Sequence, residues 1–82
     1  MPKSLYTKEQ KSLRKALRQI RVQAGLRQAD LAAKLGKPQS FVSKYESGER
    51  RLDLPEIKQI CDAVNIKLTD FVKLFEKMSK GQ

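Results

Sequence analysis

Between Ile20 and Arg51 the chain runs IRVQAGLRQADLAAKLGKPQSFVSKYESGERR, short apolar-periodic segments punctuated by Gly25, Gly36 and Gly48. The segment from about Gln28 to Leu35 buries Leu31, Ala32 and Leu35 on one face and stops at Gly36, a residue free to take the left-handed conformation that ends helices. The next tolerates Pro38 in its first turn, reaches about Ser47 and stops at Gly48. On a helical wheel at about 100° per residue with Gln39 at zero, Ser43, Ser47, Ser40 and Lys44 fall between zero and about 140°. Phe41, Tyr45 and Val42 fall between about 200° and 300°. One face is therefore apolar, and the other holds amide, hydroxyl and ammonium groups without a carboxylate. Amides pair with adenine edges, hydroxyls with bases or phosphates, and Lys with guanine or phosphate, so these types suit a face laid against DNA. Taken alone such a stripe is an ordinary solvated face. Its setting, two short helices joined by Gly36-Lys37-Pro38, gives it meaning, because so tight a connection sets helices at a large angle.

Outward from this stretch the pattern stays helical. A first helix starts at Thr7, with Gln10 three residues on as in a capping box, and carries an apolar stripe of Leu13, Ala16, Leu17, Ile20 and Ala24 before Gly25. After the loop Glu49-Arg50-Arg51, Asp53 and Glu56 form the N-cap pair of a fourth helix, with Leu52 and Ile57 placed as a hydrophobic staple. Its buried stripe is Ile57, Ile60, Cys61 and Val64. A fifth carries Leu68, Phe71, Leu74, Phe75 and Met78, and the tail from Ser79 to Gln82 is expected to fray. No strand alternation, internal repeat or linker interrupts this. The 82 residues form one all-α domain, a compact five-helix bundle with its core at about residues 8 to 78.

Charge separates the two ends. Of 18 Lys and Arg against nine Asp and Glu, residues 1–51 hold thirteen basic and four acidic, whereas residues 52–82 hold five of each. The whole excess of +9 thus lies before Leu52, and a field of that sign attracts polyanions. The apolar share of 39% suffices for one small core. No apolar run approaches the roughly 20 residues that span a bilayer, and no secretory h-region follows Met1. Cys61, alone in the chain, forms no internal disulfide, so a reducing, cytoplasmic setting is expected, with the thiol as a small apolar core group. Without His, and with one Cys, the usual zinc and Cys/His catalytic constellations are excluded; no metal, cofactor or enzymatic activity is expected.

The 20–51 stretch resembles the helix-turn-helix of the phage repressor and Cro family, the xenobiotic-response-element (XRE) family, whose fold is lambda-repressor-like. The matching elements are Arg21 before Gly25-Leu26, Gln28-Ala29-Asp30-Leu31-Ala32 opening the second helix, Gly36 at the turn, and Val42, Glu46 and Gly48 in and after the third. The likeness extends through Ile57, Ala63, Val64, Ile66, Leu68 and Phe71. It implies that the third helix enters the major groove, with Gln39, Ser40 and Lys44 at base-reading positions and Ser43 beside them. It also implies that Gln28 grips phosphate and braces the first reading residue, that Lys37 and Ser47 touch the DNA backbone, and that Arg50 and Arg51 lie in a loop following the strand. Arg21 and Glu46 match a partly buried ion pair beneath the DNA surface.

Two positions depart from the family pattern. Arg27 replaces the usual Ser or Thr, a poor N-cap beside the positive end of a helix dipole, though a basic group there could meet phosphate. Pro38 replaces a small polar residue and removes a hydroxyl, so it is left out of the contacts.

In the first helix, Lys8, Lys11, Arg14, Lys15, Arg18 and Arg21 admit a membrane-surface reading, which a stripe with two Ala and no aromatic residue disfavours. A diffuse attraction to phosphates is the better account. In the fifth helix, Phe71, Leu74, Phe75 and Met78 follow i, i+3, i+4, i+7 and serve either the core or a two-fold dimer contact; a dimer reads two half-sites about one DNA turn apart. The expectation is a sequence-specific DNA-binding transcriptional regulator, a homodimer on a short palindrome of double-stranded DNA, repressing by occupancy or activating through RNA polymerase. The alternative is an antitoxin that binds a toxin and its own promoter.

Overall fold

The computed structural model describes residues 7–80. Among the described residues five helices follow one another: α1 (Lys8–Gln23), α2 (Gln28–Leu35), α3 (Gln39–Ser47), α4 (Leu54–Ala63) and α5 (Leu68–Lys80). No strand occurs among the described residues. α1 packs on α5 and α3, α2 on α3 and α4, and α4 on α5. Leu17, Ile20, Leu31, Val42, Tyr45, Ile60, Cys61 and Phe71 meet at the centre.

The helix boundaries follow from local chemistry. Thr7 Oγ1 accepts the Gln10 N–H at 3.1 Å and caps α1, satisfying an amide that has no partner within the helix. Asp53 Oδ1 accepts the Glu56 N–H, and Glu56 Oε1 accepts the Asp53 N–H, both at 2.9 Å, closing a reciprocal box on α4. Leu52 packs against the core and Ile57 is buried, as a staple requires. Gly36 and Gly48 take φ of 68° and 93°, where a Cβ would crowd the backbone. At Gly48 it would also meet the Arg14 guanidinium at 3.2 Å.

Several local expectations are corrected. Pro38 is the N-cap of α3 and lies before its first turn. Ala24, expected in the buried stripe, is the exposed C-cap of α1, while Ser12 and Arg21 are buried. α4 ends without a glycine, because Asn65 takes φ 60°; Asn tolerates this region through local hydrogen bonding of its short side chain. Ser79 and Lys80, expected to fray, are helical, and Gly81 and Gln82 of that tail lie outside the described residues.

On α5, Phe71, expected either in the core or at a dimer contact, is only 2% exposed and belongs to the core. Its ring lies in the central cluster, so almost none of it is open to a second chain. Leu74 and Met78 also pack against the core from its edge, whereas Phe75 is half-buried. Val72, absent from that expectation, is 41% exposed.

Candidate nucleic-acid interface

The apolar residues of α3 decide which of its faces is outward. Val42 and Tyr45 are buried and Phe41 is half-buried, its ring edge-on to Tyr45 at 5.5 Å between centroids. Burial pushes the Tyr45 phenol above its ordinary value, so it stays neutral in the core. Anchored on that side, the helix exposes Gln39, Ser40, Ser43, Lys44 and Ser47 to solvent. Lys44 has no ion-pair partner among the described residues. Ser47 is partly occupied: its hydroxyl donates to the Lys44 carbonyl at 3.1 Å and lies 3.3 Å from Glu49 Oε2.

Behind this face sits a polar network that fixes how α3 is carried. Arg21 Nε donates to Glu46 Oε2 at 2.7 Å and Nη2 to Glu46 Oε1 at 3.0 Å. Nη1 donates to the Leu26 carbonyl at 2.9 Å, so the guanidinium ties α1, the α1–α2 turn and α3 together. Donating to the Glu46 carboxylate raises the Arg21 pKa against the cost of burial. Gln28 Nε2 donates to Glu46 Oε1 at 3.1 Å. The structure thus directs Gln28 to the ion pair rather than to Gln39, because the Glu46 carboxylate offers a charged acceptor at the same helix junction.

The flanking cations are arranged in a way that periodicity did not reveal. Arg27, expected to stand free for phosphate, is bound to Asp30: its Nε and Nη2 donate to the carboxylate at 3.0 and 2.9 Å, and its backbone N–H donates to Oδ2 at 2.9 Å. A guanidinium has no acceptor with which to cap a helix, so Asp30 supplies the carboxylate at the start of α2. Its pKa falls to about 2, chiefly through the Arg27 hydrogen bonds. Lys37 lies 5.5 Å from the Phe41 ring centroid, and the Arg50 guanidinium 4.8 Å from it. Arg50 also pairs with Glu56 at 2.9 Å. Arg51 is exposed in the same loop. Glu56, read in the sequence only as half of a capping box, and Phe41, read only as apolar, are therefore parts of this surface. An aromatic residue between a loop with Lys37 and a loop with Arg50 and Arg51 was the available signal, since cations stack on such rings.

No group of side chains suited to a metal ion occurs among the described residues, and no described helix is long and apolar enough to cross a membrane. Arginines and lysines gather instead around the exposed face of a short helix that follows a tight turn. A helix-turn-helix family profile, HTH_3, matches residues 17–71, and the chain belongs to this family. An XRE-family like protein from Pseudomonas syringae pv. tomato is 38% identical over 93% of each chain, with a TM-score of 0.81. The chain is accordingly a DNA-binding helix-turn-helix regulator of the XRE type. The fold is shared more widely. The restriction-modification controller protein C.Esp1396I superposes with a TM-score of 0.80 at 21% identity, covering 85% of this chain and 90% of that one. The clp gene regulator ClgR from Corynebacterium glutamicum does so with 0.79 at 19%, covering 88% and 77%. No curated protein sequence matches the chain.

Proposed function

We propose that this regulator reads a short palindromic operator as a homodimer, with α3 of each copy in the major groove. The observation that carries the reading is the exposed row Gln39, Ser40, Ser43 and Lys44 on a helix whose opposite side is locked into the core. Gln39 offers a donor and an acceptor to a base edge, Lys44 offers donors alone, and Ser40 and Ser43 reach bases or phosphates between them. Lys37, Arg50 and Arg51 flank this row and supply phosphate contacts, which set register without reading sequence. Arg27 adds a weaker contribution, since Asp30 already satisfies much of its charge.

Pairing through α5 is supported by Val72 and Phe75, apolar groups that the core leaves partly uncovered. Leu74 and Met78 would border that contact. The near-neutral charge of residues 52–82 favours it, because two such ends do not repel.

Selection of bound duplexes from a random DNA pool tests the reading. A palindromic consensus is expected, and Gln39→Ala and Lys44→Ala are each expected to weaken binding by about 1–3 kcal/mol on that consensus while largely keeping nonspecific affinity. Equal loss on every sequence would leave an electrostatic DNA binder. An unsymmetrical consensus bound by a monomer in sedimentation would overturn the dimer.

A further inference from the structure

The α3–α4 loop holds one basic side chain from three sides. Arg50 Nη1 and Nη2 donate to Glu56 Oε1 and Oε2 at 3.3 and 2.9 Å. Nη1 also donates to the Arg51 carbonyl at 3.1 Å, and the guanidinium lies over the Phe41 ring. Yet the side chain is 40% exposed. A guanidinium has N–H groups on two straight edges. Glu56 takes the edge shared by Nη1 and Nη2, and the Arg51 carbonyl takes the other Nη1–H. The Nε–H and the second Nη2–H, which share the remaining edge, have no acceptor among the described residues. Two parallel donors on one edge match two oxygens of a phosphate.

Glu56 is well placed to hold that arrangement. Its Oε1 accepts the Asp53 N–H, which ties the carboxylate to the first turn of α4. The Arg50 guanidinium beside it holds Glu56 below the usual carboxylate range, so it stays charged. Phe41 meanwhile belongs to α3 itself. The chain Asp53–Glu56–Arg50–Phe41 thus connects the cap of one helix to the DNA-facing helix through a single guanidinium.

We propose that Glu56 is a positioning residue for DNA binding: it fixes Arg50 against Phe41 so that the free Nε–H/Nη2–H edge meets one phosphate of the duplex. This rests on the reading of α3 as the DNA-facing helix. Glu56 acts in two opposed ways, since its charge repels the duplex while its grip on Arg50 spares the ordering entropy of a long side chain. Positioning outweighs repulsion, because Glu56 is the carboxylate that hydrogen-bonds the guanidinium among the described residues, and neither Glu49 nor Asp53 of the loop does so.

The test is a double-mutant cycle, read by fluorescence anisotropy on a labelled random-sequence duplex between about 50 and 200 mM salt. Arg50→Lys keeps the net charge but loses the two-donor edge, and is expected to weaken binding about fivefold. Glu56→Gln is expected to weaken binding about threefold when Arg50 is present, and to leave it unchanged or tighter in the Arg50→Lys background, where only the lost repulsion remains. The glutamine amide oxygen still accepts the Asp53 N–H, so the α4 cap persists, and a modest fall in melting temperature from the lost Arg50 ion pair leaves the variant folded at the assay temperature. A merely structural Glu56 would shift both backgrounds equally, and that result overturns the proposal. So does Arg50→Lys binding as tightly as the parent. A parent chain that fails to bind the duplex even at the lowest salt overturns the reading of α3 as well.

Discussion

Arg21 and Glu46, 25 residues apart in sequence, form a two-pronged ion pair at 2.7 and 3.0 Å, with side chains only 9% and 5% exposed. The pair joins α1 to α3, and Gln28 extends it to α2. Glu46→Ala would leave the guanidinium charged, buried and without its carboxylate. A loss of about 3–5 kcal/mol in urea unfolding is expected. A melting temperature that hardly moves would show that the pair does not hold the helix-turn-helix together.

Phe71 separates core from interface. Phe71→Ala should cost about 3–5 kcal/mol, because the cavity opens inside the core cluster rather than at a surface. The loss should be independent of protein concentration, which is checked by repeating the melt over a dilution series. Concentration-dependent destabilisation would return Phe71 to a contact between copies.

Acid should weaken the fold through the carboxylates that bind arginine. Asp30 is lowered from 3.8 to about 2 in the folded chain, and Glu56 is lowered too. Between those values the unfolded chain takes up protons that the folded chain refuses, so stability is full above the unfolded pKa and falls as pH drops through this window. Asp30→Asn should therefore show a shallower fall in melting temperature below about pH 4 than the parent. Parallel profiles would mean that the Arg27 pair contributes nothing in solution.

Cys61 is fully buried, and burial pushes its thiol up to about 11. Only the thiolate reacts with disulfide reagents. Near neutral pH the native chain should react at least about a hundredfold more slowly than the chain in concentrated guanidinium, and the rate should track unfolding. A fast native reaction would place Cys61 at the surface.

Much of this molecule is legible without coordinates, for identifiable reasons. Turns and caps are local chemistry: Gly36, Gly48, Thr7 and the Asp53–Glu56 pair act within a few residues, so the helix boundaries they set can be read directly. The helical period of α3 likewise divides Val42 and Tyr45 from Ser43 and Lys44, and the ordered motif from Arg21 to Gly48 indicates which pair of helices carries the outward face. The α4–α5 break was less legible, because Asn65 takes a left-handed turn without the usual glycine.

What the tertiary structure alone decided is which charges remain available. Eighteen basic residues look alike in a sequence; the motif pointed to the Arg21–Glu46 pair, but that Arg27 is held by Asp30 and Arg50 by Glu56, whereas Lys44 keeps its charge open to solvent, is visible only in the fold. The burial of Phe71 and the exposure of Val72 on one helix were settled in the same way, by where α5 lies on α1 and α4. Burial depends on distances between segments far apart in the chain, and the short-range pairs Arg27–Asp30 and Arg50–Glu56 depend on the backbone path at a helix start and through a loop; periodicity along one helix contains neither. Local chemistry along the chain sets the helices and the polar face of the third, and the motif marks Arg21 and Glu46; packing ties Arg27 and Arg50 beside that face to carboxylates and leaves Lys44 open to solvent.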